Sequence, residues 1–258
     1  MISTILQYLG GALIGYVLGA FPSGYFAGRL YNVDVRKHGS GRTGGTNVLR
    51  SAGWAAFALT ALGDVVKGIL AVLLSRVLFP GLSDAHALTV LGVLIGHNWS
   101  IWIAMLAKPD PRITFARPPL GWFQRIAQQG RGGAGVAVTA AATVALFPPI
   151  VVIVPIFILL LVVVRYASVA SLSAAIFAPF AMLFFVLHGD TPWSYLLLVI
   201  LCCAIVIVVH IPNIRRLRAG TERRFGERLG QKNAHSPPTL SPNEPHPEEA
   251  KAYENREK

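Results

Sequence analysis

The sequence has little charge and very little acid. Only 14% of its 258 residues are charged, with 12 acidic against 23 basic side chains, whereas 53% are hydrophobic. Because soluble domains are normally about a quarter charged, this composition excludes an ordinary soluble protein and indicates an integral membrane protein. Cysteine is also scarce. Cys202 and Cys203 are adjacent, cannot form an ordinary disulfide with each other, and are interpreted as packing residues.

Several catalytic and binding signatures are missing as well. The chain has no Walker loop, no nucleophile elbow, no cluster of metal ligands with convincing spacing and no HxxxxD pair. It also lacks a nucleic-acid-binding motif, and membrane topology alone explains where its basic residues lie, so the net charge of +11 does not predict nucleic acid binding. The lack of these catalytic signatures favours a protein that mainly positions a substrate which is already activated.

Long apolar runs predict the fold class. The runs able to cross roughly 30 Å of hydrocarbon predict an all-α integral membrane protein with about seven transmembrane helices. The predicted spans are residues 2–25, 54–79, 86–107, 136–147, 150–164, 169–187 and 193–209. Pro148 and Pro149 leave open whether the fourth and fifth spans are two short helices joined by a turn or one kinked element, so a stricter count gives five or six.

The basic residues predict the orientation. Lys and Arg accumulate near the cytoplasmic ends of membrane spans, and here they fill the first and second polar loops and the segment after the last span, whereas Arg76 lies on the opposite side. We therefore expect the N-terminus outside and the C-terminus in the cytoplasm. We expect the first span to be retained rather than cleaved as a signal peptide.

The composition also divides the chain into two parts. Residues 1–228 are expected to form one membrane domain. Residues 229–258 are rich in Pro, Glu, Ser and Asn and are expected to be a disordered cytoplasmic tail.

The polar loop at residues 33–53 has the composition of an anion site. The glycines at 39, 41, 44 and 45 free the backbone to present successive N–H groups in a concave nest. The accompanying side chains are Ser40, Thr43, Thr46 and Asn47 with the cations Arg36, Lys37, Arg42 and Arg50. A flexible solvated linker would have the same composition, so this loop alone leaves both interpretations open.

Two further polar clusters are predicted at the same membrane face. Residues 130–136 are rich in glycine, include Arg131 and lead directly into a span, so free N–H groups and a helix dipole face the cytoplasm. His210 and Asn213 lie three residues apart beside two arginines. Close helix packing would also explain the glycines. Three clusters at one face nevertheless predict a site for a phosphorylated substrate whose apolar part enters from the bilayer.

Polar residues within the spans have two interpretations. Asp64 and Lys67 share a helix face and are expected to pair with each other or with the loop, either to stabilise the fold or to serve the site. His97 is followed by Asn98 and Ser100, so it is either a packing residue or part of a polar cavity.

Together, and in this order, these motifs resemble the acyl-phosphate-dependent glycerol-3-phosphate acyltransferase family of bacterial membranes. The resemblance runs from about Gly19 to Gly226. It is carried by VDVR at 33–36, GSG at 39–41, GTNVLR at 45–50, Asp64 with Lys67-Gly68, GHN at 96–98, GGAGVA at 132–137, Arg165-Tyr166 with Ser168 and Ser171, and His210 with NIRRL at 213–217.

The resemblance implies a fold and an activity. Family members have seven membrane helices with the site at the cytoplasmic face. They transfer an acyl group from acyl phosphate to the 1-hydroxyl of sn-glycerol 3-phosphate, which gives lysophosphatidic acid and phosphate for phospholipid synthesis. No metal or organic cofactor is implied. The expected location is the bacterial inner (plasma) membrane, with membrane lipids as neighbours.

The resemblance also implies site residues. The catalytic candidates are Ser40, Arg50, His210 and Asn213. The substrate-binding candidates are Arg36, Gly41, Arg42, Thr46, Asn47, His97, Arg131, Gly132, Gly133 and Ser171.

The chain departs from the family pattern at two positions that bear on charge. Arg42 stands where the family usually has Asn, and Ala134 stands where it usually has a phosphate-facing Lys. We interpret the two as one event, in which a cation moved from the helix start to the facing loop. Residues are also inserted between His97 and the glycine-rich helix start.

The sequence is also compatible with two other functions. One is a divergent acyltransferase with another donor or acceptor. The other is a lipid-binding or transport protein that keeps the anion pockets without the chemistry, although the chain has no visible inverted repeat and places most of its charge at one face.

Overall fold

The computed structural model describes residues 2–106, 116–117 and 119–227, and within these ranges it is helical, as predicted. The α-helices are α1 (Ile2–Gly19), α2 (Ser23–Leu30), α3 (Gly45–Ala52), α4 (Trp54–Leu78), α5 (Ser83–Asn98), α6 (Ile101–Leu106), α7 (Leu120–Gln129), α8 (Val136–Leu146), α9 (Ile153–Val164), α10 (Ala167–Leu187), α11 (Trp193–Val209) and α12 (Ile211–Arg218). The predicted tail at 229–258 and the basic residues Lys108 and Arg112 lie outside the described residues.

Several helices are long and apolar enough to cross a membrane. In the described part of the chain these are Ile2–Leu30, Trp54–Leu78 and Ala167–Leu187, and Trp193–Val209 with Ile211–Arg218 makes a fourth if the pair, bent by 52°, is one span. Val136–Leu146 and Pro148–Val164 are shorter apolar helices. The proline pair opens a 3-10 turn at Pro148–Val152, so the sequence around it forms two helices joined by a turn.

The core lies between α4, α5, α8, α10 and α11. It is built mainly from small and branched apolar side chains, such as Val72, Val93, Val138 and Val199, together with the longer Met182. The outer surface is apolar too. Leu13, Leu62, Val162, Phe180 and Leu197 are exposed, and α9 buries no residue at all. A broad apolar exterior around a packed core is expected where lipid replaces water as the solvent.

Glycines allow α1 and α5 to pack closely. Gly11, Gly15 and Gly19 recur every four residues on α1, and a Cβ at Gly15 would overlap the carbonyl oxygen of Thr89 on α5. In return, a Cβ at Gly92 of α5 would overlap the carbonyl oxygen of Ala12. Small residues at this spacing are the usual means by which membrane helices approach each other. The packing fixes the end of α5, which carries His97 and Asn98.

Two predicted spans are interrupted near that end. The first breaks between α1 and α2, where Pro22 precedes the new helix. The third breaks at Trp99 and Ser100, where α5 ends. The Ser100 hydroxyl accepts a hydrogen bond from the backbone N–H of Ile103 (3.2 Å) and donates one to the Ala20 carbonyl, so it starts α6 while joining the two breaks.

The polar segments meet at one end of the helix bundle. Arg42 Nη1 donates to the Gly133 carbonyl oxygen (2.9 Å), and Arg50 Nη2 donates to the Arg223 carbonyl oxygen (3.1 Å). The backbone N–H of Phe225 donates to the Arg165 carbonyl oxygen (2.5 Å). These contacts bring together segments that lie far apart in the sequence. Arg76, near the end of α4 remote from this loop, instead donates to the Leu146 carbonyl oxygen.

Candidate active site

Asn47 organises the first polar loop from inside. Its side-chain Nδ2 lies 2.9 Å, 3.1 Å and 2.8 Å from the carbonyl oxygens of Val35, His38 and Arg42. Its Oδ1 accepts a hydrogen bond from the Ser40 N–H (3.1 Å). The side chain is buried, with 4% exposed. Both amide hydrogens and the oxygen are thus used by the loop, so Asn47 shapes the site, whereas the family resemblance predicts it at the substrate.

The loop turns at two glycines with left-handed backbone. Gly39 has φ of 57° and Gly41 has φ of 69°, a conformation that costs other residues energy. Ser40, between them, is exposed, and its Oγ accepts from the Arg42 N–H (3.4 Å). Thr46 lies at the start of α3, where the first N–H groups of a helix have no backbone partner within it.

Arg36 has a defined place in the loop. Its guanidinium donates to both oxygens of Asp34 (2.9 Å each) and lies over the Tyr25 ring, with Cζ 4.6 Å from the centroid. The hydrogen bonds from Arg36 lower the pKa of Asp34 to about 2. A substrate that used Arg36 would therefore share it with a carboxylate.

Arg42 crosses from the first loop to the glycine-rich turn. Burial lowers the pKa of Arg42, and the neighbouring charge of Arg131 lowers it further. Its bond to the Gly133 carbonyl oxygen puts the guanidinium beside the residue that precedes Ala134. Two cations that repel each other beside a polar loop form a favourable site for an anion.

The turn at Gly132–Gly135 presents unpaired backbone groups. The Gly132 N–H donates to the Asn98 carbonyl oxygen (3.1 Å), but the N–H groups of Gly133, Ala134 and Gly135 have no hydrogen-bond partner among the described residues. Gly135 has φ of 84° and leads into α8, whose positive dipole end lies here. Such a turn at a helix N-terminus is suited to a phosphate.

His97 stands directly behind this turn. It is buried, and a Cβ on Gly133 would overlap its Nε2 atom. On its other side, His97 Nδ1 lies 2.9 Å from Lys67 Nζ, which lies 2.9 Å from Asp64 Oδ1. The predicted pairing of Asp64 and Lys67 is thus confirmed, and it extends to His97.

A second basic cluster surrounds Glu222. The Glu222 carboxylate accepts hydrogen bonds from Ser168 Oγ (3.1 Å), Asn213 Nδ2 (2.9 Å) and Arg216 Nε (2.7 Å). Burial lowers the pKa of Arg50, while the charge of Glu222 opposes that shift. Arg50 Nε is buried and has no hydrogen-bond partner among the described residues.

Sequence reasoning missed Glu222. Glu222 follows the last span, where the predicted cluster comprises only His210, Asn213 and the two arginines beside them. The signal that was present is a lone acid following a run of arginines, which in a chain so poor in acid indicates an internal partner rather than a solvated charge.

His210 and Ser171 complete the polar end. His210 is buried, and its Nδ1 lies 2.8 Å from the Val206 carbonyl oxygen. Since a carbonyl only accepts, Nδ1 carries the hydrogen and Nε2 is the acceptor of the neutral ring. Ser171 Oγ donates to the Ala167 carbonyl oxygen (2.7 Å), one turn back along α10. Arg131 is exposed next to the Gly132–Gly135 turn. Among the described residues, no three His, Cys, Asp or Glu side chains converge as metal ligands would.

The chain matches known proteins over most of its length. The family model described as glycerol-3-phosphate acyltransferase matches residues 9–107 and 118–220, and the unmatched residues between them fall in the predicted insertion. A relative named glycerol-3-phosphate acyltransferase from Rubrobacter xylanophilus is 38% identical over 219 residues, covering 84% of this chain and 95% of that protein. Glycerol-3-phosphate acyltransferase 2 of Moorella thermoacetica is 38% identical over 225 residues, covering 86% and 100%.

A solved structure matches as well. The fold resembles the crystal structure of PlsY (YgiH), an integral membrane glycerol 3-phosphate acyltransferase, in its glycerol 3-phosphate form, with a TM-score of 0.67 and 28% identity. The match covers 85% of this chain and 96% of that one. The same protein in its lysophosphatidic acid form matches with a TM-score of 0.65.

Proposed function

Since the chain belongs to the glycerol-3-phosphate acyltransferase family and is a membrane acyltransferase, we propose that it moves an acyl group from acyl phosphate to the 1-hydroxyl of sn-glycerol 3-phosphate. The product is lysophosphatidic acid, a precursor of phospholipids. The observation that carries the proposal is the hydrogen bond between Arg42 and Gly133, which joins the first loop to the glycine-rich turn at a place suited to an anion.

Two phosphorylated substrates need two groups of cations. One group is Arg42 and Arg131 beside the unpaired N–H groups of the turn. The other centres on Arg50, with Arg216 and Arg223 close enough for their charges to lower the pKa of Arg50. Guanidinium groups suit this task because they grip a phosphate through two parallel hydrogen bonds. One substrate phosphate is assigned to each group, with Ser40 and Thr46 on the loop that lies between them.

The reaction requires little from the protein beyond positioning and charge. The 1-hydroxyl oxygen forms an ester bond to the acyl carbon while the bond from that carbon to the bridging phosphate oxygen breaks. The electron pair of the broken bond goes to the phosphate, and a phosphate oxygen of the donor takes up the hydroxyl proton. Arg42 and the N–H groups of the turn stabilise the negative charge on the leaving phosphate.

His210 and Asn213 orient the acceptor. Nε2 of neutral His210 has a lone pair, so it accepts a hydrogen bond from the hydroxyl of glycerol 3-phosphate that does not react, while the reacting 1-hydroxyl gives its proton to the donor phosphate. The side-chain Nδ2 of Asn213 donates to Glu222, which leaves the side-chain Oδ1 of Asn213 for the substrate. Ser171 lies on α10 and contributes to the same acceptor site.

The proposed topology has seven spans, with the N-terminus outside and the C-terminus in the cytoplasm. α5 to α6 and the short apolar helices α8 and α9 supply the spans beyond those that are long enough by themselves. The meeting of the polar segments at one end of the bundle supports a single cytoplasmic site in the bacterial inner membrane, as do the basic residues there. Residues 229–258 form the cytoplasmic tail.

Purified protein in detergent tests the activity. With radiolabelled glycerol 3-phosphate, palmitoyl phosphate should yield labelled lysophosphatidic acid, whereas palmitoyl-coenzyme A should not. Transfer from coenzyme A alone would contradict the proposed donor. Labelled product with neither donor would contradict the proposed reaction.

A further inference from the structure

The Lys67 ammonium lies against three groups, with hydrogen bonds to Phe21 and His97 and an ion pair with Asp64. Its Nζ lies 2.8 Å from the Phe21 carbonyl oxygen, 2.9 Å from Asp64 Oδ1 and 2.9 Å from His97 Nδ1. An ammonium group has three hydrogens and no lone pair. Lys67 is buried, with 6% exposed, so water does not replace these partners.

The contact with Lys67 decides the protonation pattern of His97. Because the ammonium can only donate, Nδ1 of His97 must be the acceptor nitrogen. Asp64 does not compete for this position, since its Oδ1 is 3.7 Å from Nδ1, beyond hydrogen-bond length. An imidazole whose Nδ1 holds a lone pair carries its hydrogen on Nε2.

The Nε2 edge faces the glycine-rich turn. Gly133 packs so closely on Nε2 that a Cβ at that position would overlap it. Nε2 has no hydrogen-bond partner within the described ranges, and the N–H groups of Gly133 and Ala134 beside it have none either. His97 therefore adds a fourth unpaired N–H to a turn that already presents three.

His210 has the opposite pattern. Its Nδ1 donates to the Val206 carbonyl oxygen, so its Nε2 is an acceptor when the ring is neutral. His97 and His210 thus differ in what they offer a substrate at Nε2. The partner of Nδ1 sets that difference in each case.

We infer that Lys67 is a positioning residue which holds His97 as the Nε2–H tautomer, so that His97 is a neutral hydrogen-bond donor to the anion bound at the Gly132–Gly135 turn. This inference rests on the proposed function only in that the anion is a substrate phosphate. In this tautomer His97 donates through Nε2 and does not accept the hydroxyl proton there.

Nitrogen NMR of the full-length protein in detergent reads the tautomer directly. With ¹⁵N-labelled imidazole rings, the His97→Gln spectrum identifies the His97 signals among those of the seven histidines. The expected pattern is an unprotonated Nδ1 and a protonated Nε2, with the Nε2 proton shifting when inorganic phosphate is added. A proton on Nδ1 of the wild-type residue would overturn the inference.

Variants test the part played by Lys67. In Lys67→Met, which keeps the length of the side chain but removes the donor, the fixed pattern at His97 should be lost. Thr60→Val is the matched control, because Thr60 is buried on the same helix and, among the described residues, its hydroxyl bonds only to the Ala56 carbonyl one turn back. If Lys67→Met does not fold, Asp64→Asn with Lys67→Met removes both charges together. An unchanged His97 pattern in the folded variant contradicts the role of Lys67.

Kinetics test the donor itself. The amide nitrogen of His97→Gln lies near the position of Nε2, whereas that of His97→Asn lies near Nδ1. His97→Asn should therefore be slower than His97→Gln by roughly 10- to 100-fold, the range for a hydrogen bond to a charged group. Equal rates would remove the donor role. If neither the wild type nor the variants transferred acyl groups, the proposed reaction would be contradicted. The NMR pattern would still decide the tautomer of His97.

Discussion

Arg42 is the residue at which the first loop meets the glycine-rich turn. Its guanidinium is partly buried, bonds to the Gly133 carbonyl oxygen and lies close enough to Arg131 for that charge to lower its pKa. The next residue after Gly133 is Ala134, where the family resemblance leads one to expect Lys. The loop thus supplies, from the facing side, a cation beside the position from which one is missing.

We expect Arg42→Asn to lower turnover by about 10²- to 10³-fold, because a lost cation removes on the order of 3–4 kcal/mol of transition-state stabilisation. Ala134→Lys in that background should restore much of the lost turnover. The new lysine follows Gly133, the residue whose carbonyl oxygen the Arg42 guanidinium contacts, so it returns a cation to the same place. Steady-state kinetics of the four proteins of a double-mutant cycle measure the coupling.

Lys37→Asn is the matched control for this cycle. Lys37 is an exposed cation of the same loop, so its removal lowers the net charge equally but should change turnover little. Independent effects of the substitutions at 42 and 134 would contradict the exchange of one cation for the other.

At the scale of elements, the packing of α1 on α5 fixes the end of α5, which lies against the Gly132–Gly135 turn. α5 ends at Asn98, whose carbonyl oxygen receives the Gly132 N–H, and it carries His97 one residue earlier. A change in the separation of α1 and α5 is therefore passed to the turn through backbone contacts.

Gly15→Ala is expected to lower the apparent Tm in detergent. The added Cβ would overlap the Thr89 carbonyl oxygen, and forcing apart such a contact costs about 1–3 kcal/mol. The gain in helix propensity, about 1 kcal/mol, is smaller. Differential scanning fluorimetry gives the comparison. Gly10→Ala is the control, because its Cβ would meet only the end of the Phe79 ring, which can move. A Tm that rises equally in both variants would contradict the close packing.

At the scale of the whole molecule, the account requires the polar end to face the cytoplasm. Single cysteines at Ser51, beside the first loop, and at Ser83, at the start of α5, report on opposite ends of the bundle. In a background with Cys202 and Cys203 replaced by Ala, an impermeant thiol reagent applied to intact cells should label position 83. Position 51 should be labelled only after the membrane is opened. The reverse pattern would invert the topology.

Much of this molecule follows from hydropathy and motif order. The span predicted at 54–79 is close to α4, and the family resemblance is confirmed. The interruption at Ser100 could not be predicted, because it depends on the Ala20 carbonyl of another span. The inward position of Asn47 and the cluster around Glu222 were missed for the same reason. Their hydrogen bonds join segments whose proximity cannot be inferred from sequence spacing.

The amount of phosphate released for each acyl group transferred tests the central claim most directly. Purified protein is supplied with acyl phosphate and glycerol 3-phosphate, and inorganic phosphate and lysophosphatidic acid are measured in the same samples. The account predicts equal amounts of the two products, no phosphate release above background when glycerol 3-phosphate is omitted, and a parallel fall of both products in Arg42→Asn. Phosphate release without lysophosphatidic acid would make the protein a hydrolase of acyl phosphate and would contradict the account.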